Sequence, residues 1–441
     1  MKHRYLKLTA LILCGLIIAT LIYVLTQSSG LFTSPSIEYQ SKVVYPTSPI
    51  TLSYWLPSDE ASNLDAVLAN YKKLHPNVTV NITYIDPANY QAKVLQAQAA
   101  GSLPDMFGFR NDGLPLYQKS LQPAPESVIT AEQFNQTFAD FASKSLVSGK
   151  NIYGMPFGIA TLGLFYNTDA FKKANISSPP STWQEFDKAN SSVRNKQGQT
   201  LYSSGAALGT AAVHSYPDII SMFMMQNGAV MTNSPPTKAT FQLADSTGYS
   251  SGSKALEYYA SFAQPSKENY TWSDALGSSV TAFATGKTQM MIDYPMVAKT
   301  LRKQNTNLPF TMVALPQTNP KTPLNYGVIF TQGVSKTSKN SEIAWDFLGF
   351  ATSKNQQLLY SQASLWPAAR RDLVAQQYND KDLAPFARQI ATASDWYRGI
   401  NYATNNNLRE MVSNYLAGYD SKIATNLAAA AVTLEIQKSL Q

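Results

Sequence analysis

The hydrophobic positions along the chain change their period several times, and each change predicts a strand or a helix. Apolar side chains alternate over residues 50–56 and again over 78–85, which is typical of half-buried strands. Between these strands, and again up to Gly101, the apolar positions recur at helical spacing. A short apolar run over residues 106–109 follows. The order strand, helix, strand, helix, strand predicts a mostly parallel sheet with helices on both faces.

The rest of the chain continues this alternation and ends in helices. Strands are predicted over residues 162–166, 288–292, 310–315 and 326–330. Asn167, directly after the first of these, is a suitable cap for a short helix. The final helix is marked by the helical spacing of four apolar residues: Ile423, Leu427, Ala431 and Leu434. The pattern as a whole predicts a large α/β protein.

The amino-terminal residues form the most hydrophobic segment of the sequence. Three basic residues precede an uncharged run over residues 8–25, which as a helix would span about 27 Å, close to the hydrocarbon thickness of a bilayer. The basic flank should stay in the cytoplasm, so the globular part is expected outside the cell membrane. We predict an uncleaved transmembrane anchor, with a cleaved signal peptide or a lipoprotein modified at Cys14 as alternatives. Residues 26–48 are polar, which predicts a linker.

Composition excludes several classes of protein. The chain of 441 residues is 44% hydrophobic and 11% aromatic, enough apolar surface to fill sizeable cores and to exclude a disordered protein. The net charge is +7, but no cluster of Lys and Arg follows the first segment, so no nucleic-acid partner is expected. The single cysteine, Cys14, excludes disulfides and thiolate metal sites in the globular part. No glycine-rich phosphate loop is present, and we expect no cofactor and no metal.

Candidate catalytic residues are few. Of the three histidines, only His214 is placed to act as a base, and no metal or nucleophile motif surrounds it. A glycosidase needs two carboxylates at the scissile bond, and Asp59 and Asp112 could form such a pair. The missing catalytic motifs nevertheless favour a binding protein over an enzyme.

Several segments, taken in order, resemble a known family. They include YWLPSDEASNLDAVLANYKKLHPNVTV, AAGSLPDMFGF, LFYNTDAF, PPSTWQEF, AFATGKTQMMIDYP and LWPAAR. Their order is similar to that of the extracellular solute-binding proteins of ABC importers, in the carbohydrate-binding class that includes maltose-binding protein. The resemblance covers about residues 50–436. It implies a periplasmic-binding-protein-like fold of two α/β lobes, each a mostly parallel sheet flanked by helices, which close on a solute.

The resemblance also implies a domain division and a function. Lobe 1 is predicted to comprise residues 50–157 and 331–370, and lobe 2 residues 158–330 and 371–441. A monomer of this class captures a sugar or oligosaccharide and delivers it to the permease subunits of an ABC transporter in the membrane. A sensory protein of the same fold for a non-sugar solute is the alternative, and a carbohydrate-active enzyme is a more distant one.

The resemblance places ligand contacts at strand ends. They are predicted at Asp59, Glu60, Phe109, Asp112, Tyr294 and Trp366. Aromatic faces stack on sugar rings and carboxylates accept hydrogen bonds from hydroxyls, so these residue types suit a neutral polyol, although each could instead serve the fold. Where the family often has Gly-Pro-Trp, this chain has Tyr294-Pro295-Met296, which leaves the particular sugar open. Trp272, Trp396 and Tyr397 are further aromatic candidates for the cleft.

Overall fold

A computed structural model describes residues 39–440, so the predicted anchor over residues 8–25 lies outside the described residues. The strands are β1 (Ile50–Pro57), β2 (Val78–Ile85), β3 (Met106–Arg110), β4 (Leu121–Gln122), β5 (Val147–Ser148), β6 (Asn151–Ile152), β7 (Met155–Thr161), β8 (Gly163–Asn167), β9 (Asn195–Gln197), β10 (Thr200–Ser203), β11 (Met290–Asp293), β12 (Phe310–Ala314), β13 (Asn325–Ser335) and β14 (Ala393–Ser394). Within residues 39–440, no helix is both long enough and apolar enough to cross a membrane.

The helices alternate with the strands and then take over the last third of the chain. They are α1 (Asp65–Leu74), α2 (Pro87–Ala99), α3 (Leu114–Tyr117), α4 (Ala131–Thr137), α5 (Asp140–Leu146), α6 (Thr168–Lys173), α7 (Trp183–Val193), α8 (Tyr216–Gln226), α9 (Ser251–Ser261), α10 (Ser279–Ala284), α11 (Val297–Gln304), α12 (Ser341–Ala351), α13 (Lys354–Ser364), α14 (Arg371–Gln377), α15 (Ala384–Gln389), α16 (Asn401–Leu416) and α17 (Ser421–Leu440). Short 3₁₀ turns follow β1 and β3, at Ser58–Glu60 and Asn111–Gly113.

The first sheet confirms the strand–helix alternation predicted for the amino-terminal part. Its order is β14-β13-β3-β1-β2, and β4 and β7 also pair with β13. Strand β1 runs parallel to β2 and to β3. The long strand β13 joins this sheet from far along the chain and runs antiparallel to both β3 and β7. All residues of β13 are buried, so this strand forms the centre of the sheet.

The second sheet differs from the mostly parallel arrangement predicted for the second lobe. Its centre is β8, and both neighbours, β11 and β12, run antiparallel to it. The reason is the path of the chain. Strand β8 enters directly from β7 of the first sheet, whereas β11 and β12 are joined through helix α11 and run in the same direction on either side of β8. Parallel contacts to β11 are isolated bridges, such as Ala207 with Met291.

The last two helices pack against each other and against α9. The buried face of α17 consists largely of small residues, including Ala424, Ala428 and Ala429. The larger residues that marked this helix in the sequence lie on the opposite face, where Ile423 and Leu427 are each 52% exposed and Leu434 is 56% exposed. Helical spacing therefore identified the helix, but small side chains determine which face packs.

The part of the predicted linker that the structure describes is docked on the protein. The hydroxyls of Tyr39 and Tyr45 both donate to the buried carboxylate of Asp346 on α12. The ring of Tyr45 also stacks on His75 with the ring centroids 4.0 Å apart. Two residues of the predicted linker, Tyr39 and Tyr45, are thus fixed to helices of the first sheet, and the linker bounds of 26–48 stay a prediction.

Candidate functional site

The carboxyl ends of strands from both sheets meet at one place, which is where α/β proteins bind ligands. From the first sheet come the turn after β1, which holds Asp59, and the last residue of β3, Arg110. From the second come the end of β11 and the amino-terminal end of α8, which carry Asp293 and Asp218 respectively. We call the space between these residues the cleft.

Four charged side chains connect the two sides of the cleft, and we call them the charge cluster: Arg110, Asp112, Asp218 and Arg398. Arg110 Nη2 lies 2.7 Å from Asp112 Oδ2, and its Nη1 lies 2.9 Å from Asp218 Oδ2. Arg398 Nη2 lies 2.6 Å from Asp218 Oδ1 and 3.5 Å from Asp112 Oδ2. Arg110 is the outermost member, because its side chain is 35% exposed whereas those of Asp112 and Asp218 are 0% and 5% exposed. The cluster therefore presents a guanidinium to the cleft with its counter-charges behind it.

The carboxylate of Asp218 is held in the charged form. Burial raises the pKa of Asp218, but Arg110 and Arg398 outweigh this effect and hold the pKa well below its usual range. The Tyr294 hydroxyl donates to Asp218 Oδ2 at 2.8 Å, and Asn401 Nδ2 donates to Asp112 Oδ1 at 3.0 Å. Two predicted ligand contacts, Asp112 and Tyr294, are thus brought together, each already engaged by other side chains.

Two further predicted contacts, Glu60 and Trp366, bond directly to each other. Trp366 Nε1 donates to Glu60 Oε1 at 2.9 Å, and the other carboxylate oxygen accepts from Tyr360 and Asn63 at 2.8 and 2.9 Å. The indole of Trp366 stacks on Phe330 with ring centroids 5.7 Å apart. Glu60 is only 6% exposed, so its carboxylate serves to position the indole. Ligand contact by either residue stays a prediction.

The remaining two predicted contacts occupy opposite environments. Phe109 is buried, and its ring packs against Phe107 and Tyr117 with centroids 5.7 and 5.4 Å away. This packing disfavours the predicted stacking on a sugar. Asp59 is exposed at the cleft, and its charge acts on His214 from the other side. Asp59 is therefore the predicted residue whose carboxylate is most available to a solute.

Sequence reasoning missed most of the groups that build the site. The position of Arg110 at the end of β3, two residues before Asp112, was a usable signal, because strand ends favour binding. Asp218 stands in the first turn of an otherwise apolar helix, which was a weaker signal. No signal in the sequence identified Arg398, because its position at the cleft depends on how the carboxy-terminal segment folds back. His214 was considered only as a base, whereas the structure pairs its Nδ1 with Asp293 Oδ2 at 2.7 Å.

A lysine also links the two sides. Lys299 Nζ, on α11, donates to Asn63 Oδ1 at 2.7 Å and to the carbonyl oxygen of Ala363 at 2.8 Å. Asn63 in turn donates to Glu60. The helix that follows β11 is thereby attached to the residues that hold Trp366, and the structure shows the two sides in contact.

Among the other aromatic candidates, Trp396 packs against the charge cluster, because the guanidinium carbon of Arg398 lies 5.4 Å from its ring centroid. Trp272 is completely buried. Trp396 and Tyr397 line a cavity of about 610 Å³ together with Asp395 and residues of the segment 225–236. Burial raises the pKa of Asp395 to about 7, with a further contribution from the negative charge of Asp112. Within residues 39–440, no three potential metal-ligating side chains of the His, Cys, Asp and Glu types form a group.

Two sheets whose strand ends face each other across a cleft define a solute-binding class of protein. The chain belongs to the family of bacterial extracellular solute-binding proteins, because the family model matches residues 57–358. The members of this family are binding proteins.

Individual relatives are more distant. A putative binding protein of Brucella abortus is 27% identical over 273 residues, 59% of this chain and 62% of the relative. The chain therefore spans about three-fifths of the length of this curated relative. A lactose-binding protein of Rhizobium radiobacter is 25% identical over 158 residues, 34% of this chain and 37% of the relative.

Solved structures confirm the two-lobe α/β fold. An ABC transporter solute-binding protein of Thermotoga lettingae, bound with α-D-tagatose, superposes with a TM-score of 0.72 at 20% sequence identity. The superposition covers 89% of this chain and all of that protein. The two-lobe α/β fold implied by the sequence resemblance is thus correct, while the boundaries proposed for the two lobes stay a prediction.

Proposed function

We propose that this chain is the extracellular solute-binding component of an ABC transporter and that it captures a neutral sugar or oligosaccharide in the cleft. Family membership supports the class of function. The lactose-binding relative and the tagatose-bound structural neighbour support a carbohydrate. The observation that carries the proposal is the balance of charge in the cleft.

The fixed charges of the cleft compensate one another. Three cations face three buried carboxylates: Arg110, His214 and Arg398 against Asp112, Asp218 and Asp293. Lys299 and Glu60, where the two sides touch, carry one charge of each sign, and Asp59 is the exposed carboxylate at the cleft. A phosphate ester would find the cations already neutralised and would be repelled by Asp59. A neutral polyol instead meets charged donors, which the buried carboxylates hold in place, and a carboxylate acceptor. Charged groups of this kind make strong hydrogen bonds to hydroxyls.

A thermal-shift panel with the full chain tests this proposal. The probes are maltose, maltotetraose, lactose and tagatose, with sn-glycerol-3-phosphate as the anionic comparison. A sugar at a hundredfold excess over its Kd stabilises by about 2.7 kcal/mol, which for about 400 folded residues raises Tm by about 3 °C. A variant of the cleft, Arg110→Gln, lacks one charged donor, and the same sugar should give a smaller thermal shift with it. Stabilisation by the phosphate ester alone, or by none of the probes, contradicts the proposal.

We further propose that the bound sugar leaves the cleft unchanged. Asp112, the second carboxylate that a glycosidase would need beside Asp59, accepts hydrogen bonds from Arg110 and Asn401 and is buried. Its engagement supports binding without hydrolysis. Incubation of the purified chain with maltotetraose, followed by chromatography, should return the intact sugar, and shorter sugars formed in proportion to protein would contradict this.

The proposal also includes a membrane anchor, a permease as the partner and a monomeric state. The uncharged run over residues 8–25 supports an anchor that leaves the globular part outside the cell. Mass spectrometry of protein extracted from membranes should find the peptide containing Tyr23. A processed amino terminus near Gly30 would contradict an uncleaved anchor. Permease genes beside this gene would support transport, whereas a neighbouring receptor kinase gene would favour a sensory protein.

A further inference from the structure

The imidazole of His214 is fixed at the cleft by a buried partner. Its Nδ1 lies 2.7 Å from Asp293 Oδ2, and its backbone N–H donates to Ser279 Oγ at 2.9 Å. The second oxygen of Asp293 accepts from Ser215 Oγ at 3.0 Å and from the backbone N–H of Tyr294 at 2.8 Å. Both the ring and its counter-ion are therefore held in one orientation.

The unused side of the ring faces outward. The His214 side chain is 54% exposed whereas Asp293 is fully buried. Because Nδ1 is taken by Asp293, the free donor is Nε2–H, and no residue within 39–440 accepts from it. The negative charge of Asp293 raises the pKa of His214 to about 9, against a smaller lowering by burial. The ring is therefore an imidazolium at neutral pH.

The charged groups around His214 come from both sides of the cleft. Asp293 on β11 and Asp218 on α8 lie on its own side, and Asp59 after β1 lies on the other. Burial raises the pKa of Asp59, while the positive charge of His214 lowers it. Next to His214, Ser215 has a φ of 56°, in the left-handed region that serine rarely adopts. Such local strain is typical of binding sites, where the surrounding structure enforces it.

We propose that His214 is the ligand-binding residue opposite Asp59 and that it donates a charged hydrogen bond from Nε2 to an oxygen of the bound sugar. This inference rests on the proposed function and names a specificity-determining residue within it. A solute with oxygens that reach both residues binds best: one oxygen accepts from His214, and a nearby hydroxyl donates to Asp59. A sugar carries several hydroxyls, each of which can donate and accept a hydrogen bond.

Two substitutions separate the role of the ring from its support. In His214→Asn the amide can replace Nδ1 and still donate to Asp293, but the donor at Nε2 is lost. In His214→Gln the amide can reach the Nε2 position. His75→Asn, in a helix-end residue away from the cleft, is the matched control. Titration calorimetry uses whichever of maltose, maltotetraose, lactose or tagatose gives the largest thermal shift with the wild-type chain.

A charged hydrogen bond predicts a loss of affinity of about tenfold to a hundredfold in His214→Asn. The loss should be smaller in His214→Gln and absent in His75→Asn. The Tm of the sugar-free His214→Asn protein should fall by a few degrees at pH 7, because the fully buried Asp293 loses its positively charged partner, so affinity is measured well below that Tm. Wild-type affinity should hold from pH 6 to 8 and fall as pH rises through about 9, where the imidazolium loses its proton. His214→Asn should lack this fall.

The outcomes distinguish the two proposals. If no panel sugar binds the wild-type chain, the proposed function and this inference both fail. If a sugar binds wild type and His214→Asn equally, the inference alone fails. In that case a lower Tm of sugar-free His214→Asn leaves His214 with the structural role of neutralising the buried Asp293.

Discussion

Replacement of Asp218 by asparagine should destabilise the protein more than any surface charge substitution. In wild type this 5% exposed side chain accepts hydrogen bonds from Arg110, Arg398 and Tyr294. Asp218→Asn removes one negative charge and leaves the buried Arg398 short of compensation. Loss of one partner from a buried ion pair costs about 3–5 kcal/mol. For about 400 folded residues this lowers Tm by about 4–6 °C at pH 7.

The pH dependence of the Tm difference provides a second test of this prediction. The folded pKa of Asp218 lies below its unfolded value, so its contribution to stability is complete above about pH 4 and is lost as pH falls further. The difference in Tm between wild type and Asp218→Asn, followed by scanning calorimetry, should therefore shrink below pH 4.

Two controls complete the experiment. Asp140→Asn breaks the pair with Arg371, in which the aspartate side chain is 76% exposed, and should cost less than about 1 kcal/mol. Adding Arg398→Met to Asp218→Asn should restore part of the lost stability, because it removes the uncompensated cation. The reasoning is refuted if Asp218→Asn lowers Tm no more than Asp140→Asn does, or if its effect is the same at pH 3 and pH 7.

Three other substitutions test separate contacts. Lys299→Met removes the hydrogen bonds to Asn63 and to the carbonyl oxygen of Ala363, which join the two sides of the cleft. The two sides should then separate more readily, so small-angle scattering should show a larger radius of gyration. Affinity for the best panel sugar should fall about threefold to tenfold. Glu60→Gln places an amide where three donors converge and should cost about 1–3 kcal/mol, with a changed Trp366 fluorescence; an unchanged Tm would argue against the bonding pattern. The folded pKa of Asp395 is raised to about 7, so charging this group costs stability as pH rises from about 4 to above 7, and Asp395→Asn should raise Tm clearly more at pH 8 than at pH 5.

Local patterns predicted the elements that depend on local physics. The alternation of β1 and β2 and the helical spacing between them gave the parallel pair directly, because each burial pattern follows its own period. Asn167 caps its helix as predicted, since its side chain accepts from the backbone N–H of Ala170 at 3.0 Å. These features need only neighbouring residues.

Features that depend on distant partners could not be read from the sequence. Strand β13 continues to Ser335, five residues beyond its predicted end, although that extension includes polar residues. Gln332 is buried there because its side-chain oxygen accepts from Tyr54 at 2.7 Å. Likewise, the bond between Glu60 and Trp366 joins residues 306 positions apart, so two predicted sugar contacts became partners of each other.

The position of β13 has a consequence for how the protein is made. This strand pairs with β3 and β7, which belong to the first half of the chain, and residues 162–324 lie between β7 and β13. Contacts of such high sequence separation form slowly, because a long loop must close before they stabilise anything. Until residue 335 emerges, β3 and β7 expose unpaired edges that are prone to aggregation. The first sheet therefore cannot be completed until β13 has been synthesised, whereas all strands of the second sheet precede it in the chain.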